Sequence, residues 1–369
     1  MNSRSAAYVK DVAGFSLRRM SGMTLAIICL AVFLTSGCAS QWELRKEHNA
    51  ITLQWPYQPA GAKVTYEMSL KGFTRSRSSD SLLRTIVYGG SGGGGNDTFS
   101  LPVSVAVGSD GRLAVADTGC RCIHLYIPNG QQYLKLFSAA KEGLKSPVSV
   151  IFDDELRLYV SDSLIGKVFI FGSDGRFLFS LHKAGSGYLK RPTGLAYNRS
   201  RNILYVVDTL ENRVYAFDKK GEAVFSFGER GEGDGQFNLP TNIFWSSAGT
   251  LYVTDSLNFR IQIFDESGGF LGSVGHHGDG SGDLAMPKGV AVDKDGIIYV
   301  VDALFDNVQL FNRQGEFLLT VGARGSDPGE FWLPSGIFID DSDKLYVSDT
   351  YNRRVQVFRI TENYDNGKF

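Results

Sequence analysis

The fold is decided by residues 251–274, LYVTDSLNFRIQIFDESGGFLGSV. This stretch contains an apolar run that ends at Asp255, an alternating run that ends at Phe264, and a second apolar run after a glycine-containing turn. Short apolar or alternating runs separated by turn residues are typical of consecutive antiparallel β-strands. The stretch therefore predicts three strands joined by two tight turns.

The same pattern occurs six times from Leu101 onward. A proline marks each unit, the prolines are 45 to 48 residues apart, and an aspartate follows each proline after 15 or 16 residues. The prolines are Pro102, Pro147, Pro192, Pro240, Pro287 and Pro334, and the aspartates are Asp117, Asp162, Asp208, Asp255, Asp302 and Asp349. Four short strands in a unit of about 47 residues are the signature of a propeller blade.

These units share a motif, P-x-G-[IVL]-A-x-D…LYV-x-D-[ST]-x-N-x-R-[IV]-x-x-F, which resembles the NHL repeat. The resemblance covers about 270 residues in six copies. It implies an all-β fold, a six-bladed β-propeller of four-stranded antiparallel blades. It also implies a role in binding, since most NHL domains act as interaction platforms.

The last blade needs a strand from elsewhere in the chain, because the sixth unit ends near Phe358 after three strands. Residues 82–88, LLRTIVY, precede a glycine-rich loop and then Pro102, as a fourth strand does in the other units. We therefore expect this N-terminal segment to complete the last blade and to remove the edges of an open ring. Residues 63–70 are one more possible strand.

The N-terminus reads as a secretory signal. Arg18 and Arg19 precede an apolar run at 23–34, which is about 12 residues long and shorter than the roughly 20 residues that span a bilayer. The following LTSGC resembles the bacterial lipobox, whose cysteine receives a diacylglycerol and becomes the mature N-terminus. The resemblance implies lipidation at Cys38, although Thr35 occupies the usual leucine position; an ordinary secreted protein or an uncleaved anchor is the alternative.

The segments follow from these features. Residues 1–38 are the expected lipoprotein signal peptide, 39–80 a tether and lead-in, 81–360 the propeller, and 361–369 a C-terminal tail. The expected location is the bacterial cell envelope, outside the cytoplasm and anchored to a membrane through the lipid. Ala39, which is not the aspartate that retains some lipoproteins at the inner membrane, favours the outer membrane.

Composition and charge agree with this assignment. The chain has 43 Gly and 25 Phe but only five Met, which suits many short strands joined by glycine turns. Its formal net charge of −1 gives no long-range attraction to nucleic acid. We therefore expect no nucleic-acid partner.

Residues that recur in most units are expected to serve the blade. The six aspartates lie where the second strand turns into the third, and a carboxylate there accepts backbone N–H groups, so we interpret them as structural. A basic residue lies five positions after four of them. These residues either pair with the aspartates or a neighbouring blade, or form a basic ring that binds an anion. They are Lys167, Arg213, Arg260 and Arg354.

The face that carries these turns also carries the links between blades, and we predict that it is the recognition surface. Its further candidate binding residues are Lys288, Asn242, His182, His276 and His277. The His276–His277 pair either binds a metal or lies in a solvated loop; no third ligand is evident, so we assign no metal and no cofactor. Link aromatics that are candidate anchors or pack under the loops are Tyr188, Phe237 and Trp332.

Two cysteines occur in the first unit only, within GCRCIH. We expect Cys120 and Cys122 to be packed free thiols, because a bridge across one residue is strained. A disulfide, a metal site with His124 and redox chemistry are the alternatives.

The first strands line the central channel with neither a ring of carboxylates nor a ring of histidines. The sequence therefore favours a binding or scaffold module, expected to be monomeric, for a protein, peptide or glycan partner. A lyase or lactonase with a metal at the loop face is the alternative, because some six-bladed relatives have these activities. A purely structural envelope component is a third possibility.

Overall fold

The computed structural model describes residues 41–57, 63–75 and 95–361. These residues form 31 strands and one turn of 3₁₀-helix, Ser256–Asn258. Among them there is no helix with the length and apolar character needed to cross a bilayer. The strands before the first proline are β1 (Trp42–Glu47), β2 (Gln54–Trp55), β3 (Val64–Arg75) and β4 (Asn96–Thr98).

Five blades are separate four-stranded antiparallel sheets in which consecutive strands are neighbours. Blade one contains β5 (Pro102–Val107), β6 (Leu113–Asp117), β7 (Cys122–Ile127) and β8 (Gln132–Leu136), and β9 (Ser138–Ala139) and β10 (Glu142–Gly143) form the link after it. Blade two contains β11 (Pro147–Phe152), β12 (Leu158–Asp162), β13 (Lys167–Phe171) and β14 (Phe177–Leu181), and its link contains β15 (Lys183–Ala184) and β16 (Gly187–Tyr188). Blade three contains β17 (Pro192–Asn198), β18 (Ile203–Asp208), β19 (Arg213–Phe217) and β20 (Ala223–Phe227). Blade four contains β21 (Pro240–Trp245), β22 (Leu251–Asp255), β23 (Arg260–Phe264) and β24 (Phe270–Val274), and blade five contains β25 (Pro287–Val292), β26 (Ile298–Asp302), β27 (Asn307–Phe311) and β28 (Phe317–Val321).

The sixth blade takes its outer strand from the N-terminal part of the chain. Its strands are β29 (Ile337–Ile339), β30 (Lys344–Asp349), β31 (Arg354–Ile360) and β3, with β1 added outside β3. The prediction of an all-β, six-bladed propeller closed by an N-terminal strand is therefore confirmed.

The closing strand is not the predicted segment. Val64 of β3 is paired with Ile360 of β31, and Leu70 with Val355, whereas residues 82–88 lie outside the described residues. The reason is visible in the side chains: Val64, Tyr66 and Leu70 alternate along β3 and are all buried against the blade. Alternation of buried side chains along a strand therefore identifies the closing strand better than a position just before the next proline does.

Two hydroxyl groups of blade six close the ring, one directly after the turn aspartate and one directly after Pro334. Thr350 Oγ1 donates to Pro102 O at 2.8 Å, which joins blade six to blade one. Ser335 Oγ donates to Val103 O at 3.0 Å across the same boundary. Thr209 makes the equivalent bond to Pro240 O between blades three and four. The serine or threonine after the aspartate therefore joins neighbouring inner strands after blades three, four and six.

The core lies between the blades. A phenylalanine ends the third strand of each of blades two to five, and a phenylalanine lies two residues before the end of β31 in blade six; each is less than 2% exposed. These residues are Phe171, Phe217, Phe264, Phe311 and Phe358. Each packs against the adjacent blade, so the described core consists of six apolar clusters, one between each pair of neighbouring blades, around a channel lined by the first strands.

Candidate functional site

The six turn aspartates are fully buried and accept backbone N–H groups in every blade. Asp117 accepts N–H groups from Ser100, Leu101, Gly119 and Cys120, so one carboxylate joins its own turn to the segment entering the blade. The other five aspartates accept equivalent bonds. Each carboxylate fixes the turn between the second and third strands and the incoming link.

In blades four and six, three side-chain donors surround one oxygen of the turn aspartate. Around Asp349 Oδ2 these are Asn352 Nδ2 at 2.9 Å, Arg354 Nε at 2.7 Å and Gln356 Nε2 at 3.0 Å. Asn258, Arg260 and Gln262 surround Asp255 Oδ2 in the same way, at 2.8, 2.9 and 3.0 Å. The donors lie three, five and seven positions after the aspartate.

The two arginines of these networks also hold the links. Arg354 Nη2 donates to Asp327 O and Glu330 O, and Arg260 Nη2 donates to Gly233 O and Gln236 O. Lys167 instead pairs with Glu142 at 2.7 Å, and Arg213 donates to Ser226 Oγ at 3.2 Å. The four basic side chains therefore have different local partners and do not converge on one anion site.

The other predicted residues are spread over the molecule. Burial lowers the pKa of the Lys288 ammonium, against the opposing charge of Asp302. Asn242 lines the central cavity. His182 stacks on Tyr188 with ring centroids 5.5 Å apart, within the link after blade two.

The histidine pair belongs to a repeated link. Residues 228–237, 275–284 and 322–331 share glycines and a terminal apolar residue. His276 Nε2 lies 2.6 Å from Asp283 Oδ1, and His277 packs on Phe259 with ring centroids 4.2 Å apart. Among the described residues, His182, His276 and His277 do not form a group of metal ligands. Each makes a local contact within or beside its own link.

The face that carries the turns between second and third strands, here called the turn face, has a ring of exposed apolar side chains. They lie two positions after the aspartate in blades two to six and are 49% to 71% exposed. They are Leu164, Leu210, Leu257, Leu304 and Tyr351. Blade one has Gly119 at this position. These positions recur in the sequence as apolar residues, but the pattern alone does not show that they are exposed.

The predicted link aromatics differ in exposure. Tyr188 and Trp332 are 63% and 45% exposed, whereas Phe237 is fully buried. Of the two alternatives, Phe237 takes packing under the loop, because its ring lies between Phe227 and Phe264 beneath the link.

Blade one has a different set of side chains beside its turn aspartate. Cys120 and Cys122 form a disulfide, so the prediction of free thiols is wrong. Arg121 between them has a φ of 54°, and this left-handed residue places the two Cα atoms 5.3 Å apart, within the usual disulfide range. Cys120, Cys122 and His124 are the one group of three metal-ligand residue types in the part of the chain that the structure describes.

His124 is fully buried and has polar neighbours on both ring nitrogens. Nε2 lies 3.4 Å from Asp117 Oδ2, and Nδ1 lies 2.7 Å from the hydroxyl of Tyr133. Tyr133 in turn donates to Asp97 Oδ2 at 2.8 Å. Burial alone raises the pKa of Asp117, but hydrogen bonds from His124 and from backbone amides lower it to about 2. Asp117 is therefore a carboxylate at neutral pH.

A cavity of about 560 Å³ lies in the channel on the opposite side from the turn face. Its walls are the final residues of the inner strands and the turns that follow them. They include Val107, Phe152, Tyr197, Trp245, Val292 and Ile339. The size is typical of small-molecule pockets, and none of the five histidines lines it.

Ion pairs cross the mouth of this cavity. Arg199, from blade three, lies 3.2 Å from Asp154 and 3.5 Å from Asp341 of blade six. Lys294 lies 3.0 Å from Asp343.

The comparisons with known proteins agree on the fold. A family model described as "6-bladed beta-propeller" matches residues 237–305 and 293–366. Among curated proteins, no sequence matches this chain.

Several solved structures are similar to the propeller. Virginiamycin B lyase from Staphylococcus aureus is 13% identical, with a TM-score of 0.53 over 71% of this chain and 96% of that one. A gluconolactonase from Xanthomonas campestris is 15% identical, with a TM-score of 0.56 over 72% and 88%. An auxiliary nutrient binding protein from Bacteroides thetaiotaomicron is 13% identical, with a TM-score of 0.55 over 72% and 69%. At these identities the similarity is one of fold, and the chain is a six-bladed β-propeller.

Proposed function

We propose that this propeller is a protein-binding module of the bacterial cell envelope, anchored through a lipid on Cys38, with its partner on the turn face. The observation that carries the proposal is the ring of five exposed apolar side chains. Single exposed leucines are ordinary on protein surfaces. Five at one position of five successive blades place apolar groups around one channel mouth, and such a patch is typical of interaction sites.

The surroundings of this ring support a docking role. The turns beneath it are fixed by buried aspartates, so the apolar side chains are presented on a rigid frame. Preorganised anchors reduce the entropy lost on binding. Exposed Trp332 packs against Tyr351 with ring centroids 5.6 Å apart and extends the ring by one aromatic side chain. The resemblance to NHL propellers points in the same direction.

A lyase or lactonase with a metal at the loop face remains the alternative function. Two of the similar structures are enzymes by name, a virginiamycin B lyase and a gluconolactonase. Within the described residues, however, His182, His276 and His277 lie in separate local contacts. The geometry therefore supports binding better than catalysis.

Photocrosslinking in living cells tests the docking surface. A photoreactive benzoylphenylalanine replaces Leu257 or Leu304 in the full chain. We expect both positions to give the same discrete adduct with an envelope protein. The combined variant Leu257→Ser/Leu304→Ser is expected to retain that protein at least tenfold less well, because each apolar anchor contributes about 1–2 kcal/mol.

Leu271 supplies the matched control. It is 61% exposed, as Leu304 is, but it lies on the outer strand β24 of blade four. The same crosslinker at Leu271 is expected to give no such adduct, and Leu271→Ser to leave partner retention unchanged. Adducts at Leu271 with none at Leu257 and Leu304 would overturn the turn face as the docking site.

The lipid anchor has its own test. In the Cys38→Ser variant we expect loss of labelling by radioactive palmitate and movement of the protein from the membrane fraction to the soluble fraction. The propeller itself is expected to melt at an unchanged Tm. Persistent membrane association of an unlabelled Cys38→Ser protein would refute anchoring through this lipid.

A further inference from the structure

The cluster in blade one corresponds, position for position, to the polar networks of blades four and six. In those blades, donors three, five and seven positions after the aspartate surround its Oδ2 atom. The same positions after Asp117 hold Cys120, Cys122 and His124. An amide, a guanidinium and a second amide are thus replaced by two sulfur ligands and an imidazole, which are the preferred ligands of Zn²⁺.

We propose that Cys120, Cys122, His124 and Asp117 form a four-ligand site for Zn²⁺, which binds when the two cysteines are reduced and is closed when they form the disulfide.

The separations between the ligand atoms fit such a site. His124 Nε2 lies 3.7 Å from Cys120 Sγ, 3.5 Å from Cys122 Sγ and 3.4 Å from Asp117 Oδ2. Tetrahedral zinc, with bonds of about 2.3 Å to sulfur and about 2.0 Å to nitrogen or oxygen, places sulfur and nitrogen about 3.6 Å apart and nitrogen and oxygen about 3.3 Å apart. The imidazole is thus already at ligand distance from its three neighbours. The two sulfur atoms must separate when the bond between them is reduced.

The hydrogen bonds behind His124 orient the ring as a metal requires. Tyr133 gives its one hydroxyl proton to Asp97 Oδ2, so its oxygen accepts a proton from His124 Nδ1. Nδ1 therefore faces away from the cluster, and Nε2 faces the two sulfur atoms and Asp117 Oδ2. A metal bound at Nε2 takes the place of the proton that Nε2 shares with Asp117. A histidine ligand held by a carboxylate through its other nitrogen is the usual arrangement at zinc sites.

Charge gives an independent argument. In blade six the guanidinium of Arg354 lies against the fully buried carboxylate of Asp349. The residue at the same position of blade one is Cys122, which brings no cation to the fully buried Asp117. A bound Zn²⁺ occupies the place of that guanidinium.

The site is open to exchange at one side. Cys120 is half-buried and lies between exposed Gly119 and exposed Arg121, whereas Cys122 and His124 are fully buried. A dithiol can therefore attack at Cys120. The disulfide takes up two electrons and two protons, and the attacking dithiol becomes a disulfide. Zn²⁺ binding then displaces the two thiol protons and the proton on His124 Nε2.

Spectroscopic titration with Co²⁺ as the probe tests the site. The full chain in detergent is reduced with a dithiol, freed of reductant without oxygen and titrated with Co²⁺. We expect one Co²⁺ per chain, with thiolate-to-cobalt charge transfer and the visible bands of tetrahedral cobalt, and displacement by one equivalent of Zn²⁺. The chain reoxidised with diamide is expected to give none of these bands.

The variants separate this site from other thiols. Cys120→Ser/Cys122→Ser removes both sulfur ligands and is expected to lose the charge-transfer band entirely. His124→Gln introduces the residue of blades four and six and is expected to fold with an unchanged circular dichroism spectrum. It should bind Co²⁺ at least tenfold more weakly. Cobalt–thiolate bands that persist in the double variant, or reduced protein that binds no Co²⁺, would overturn the proposal.

Discussion

Arg354→Ala is expected to lower the free energy of unfolding by about 3–5 kcal/mol, the usual result of leaving one partner of a buried ion pair without its counter-charge. Arg354 is 3% exposed and lies 2.7 Å from the fully buried Asp349. It also donates to two carbonyls of the link before blade six. The substitution therefore leaves a buried carboxylate without its counter-charge and Asp327 O without its side-chain donor. Asn352 and Gln356 still donate to Asp349. Urea unfolding followed by circular dichroism measures the change.

Arg213 is the matched control for this variant. It follows Asp208 by five positions, as Arg354 follows Asp349, but it donates to Ser226 Oγ rather than to the aspartate. Arg213→Ala is therefore expected to change the unfolding free energy by less than about 1 kcal/mol. Equal losses in the two variants would mean that the basic positions act through something other than the buried aspartate.

The effect of Arg354→Ala should depend on pH. Burial raises the pKa of Asp349, and Arg354 opposes that rise. Without Arg354, the folded protein holds a proton on Asp349 more tightly than the unfolded chain does. The free energy of unfolding of the variant therefore falls as the pH rises through the range in which Asp349 loses its proton. We expect the difference between wild type and variant to be larger at about pH 7.5 than at about pH 4.5.

Repetition explains why the blades were predictable. The aspartate recurs in all six units, and its side chain makes the same backbone contacts in each. A residue type that fixes one turn must recur wherever that turn recurs. The closing strand occurs once, so no second copy identified it. Its alternating Val64, Tyr66 and Leu70 were noted as a strand, but their pairing with β31 depends on contacts across the ring.

The candidate sites were less predictable because they depend on whether a side chain is exposed to solvent or contacts another side chain. A leucine such as Leu257 or Leu304 recurs in four successive blades, yet these side chains are exposed to solvent. The sequence could not tell exposure from burial at a turn. The cysteine cluster is recognised by comparing blades in which different residue types occupy equivalent positions. Cys120, Cys122 and His124 acquire meaning only when blade six shows that Asn352, Arg354 and Gln356 all reach the same carboxylate oxygen.

The inner strands of neighbouring blades pack so closely that a glycine is required between them, and Gly336→Ala tests this. A Cβ atom at Gly336 would lie 2.5 Å from Val103 O and 2.8 Å from the Cα of Ser104. Both are backbone atoms of blade one, so no side-chain rotation relieves the overlap and blade six must move away from blade one. That movement stretches the Thr350–Pro102 and Ser335–Val103 hydrogen bonds that close the ring. We expect a loss of at least about 1–3 kcal/mol, the usual result of overpacking.

Two further variants give this prediction its controls. Gly194 meets Asn242 Cα at 2.6 Å between blades three and four, so Gly194→Ala should cost a similar amount if the packing of inner strands is the cause. Gly272, in β24, has open space where its Cβ would lie. Gly272→Ala should be neutral or stabilise the protein by a few tenths of a kcal/mol, because alanine restricts the unfolded chain. Thermal unfolding of the three variants measures these effects. A Gly336→Ala protein as stable as Gly272→Ala would show that blades six and one have space for a Cβ atom between them.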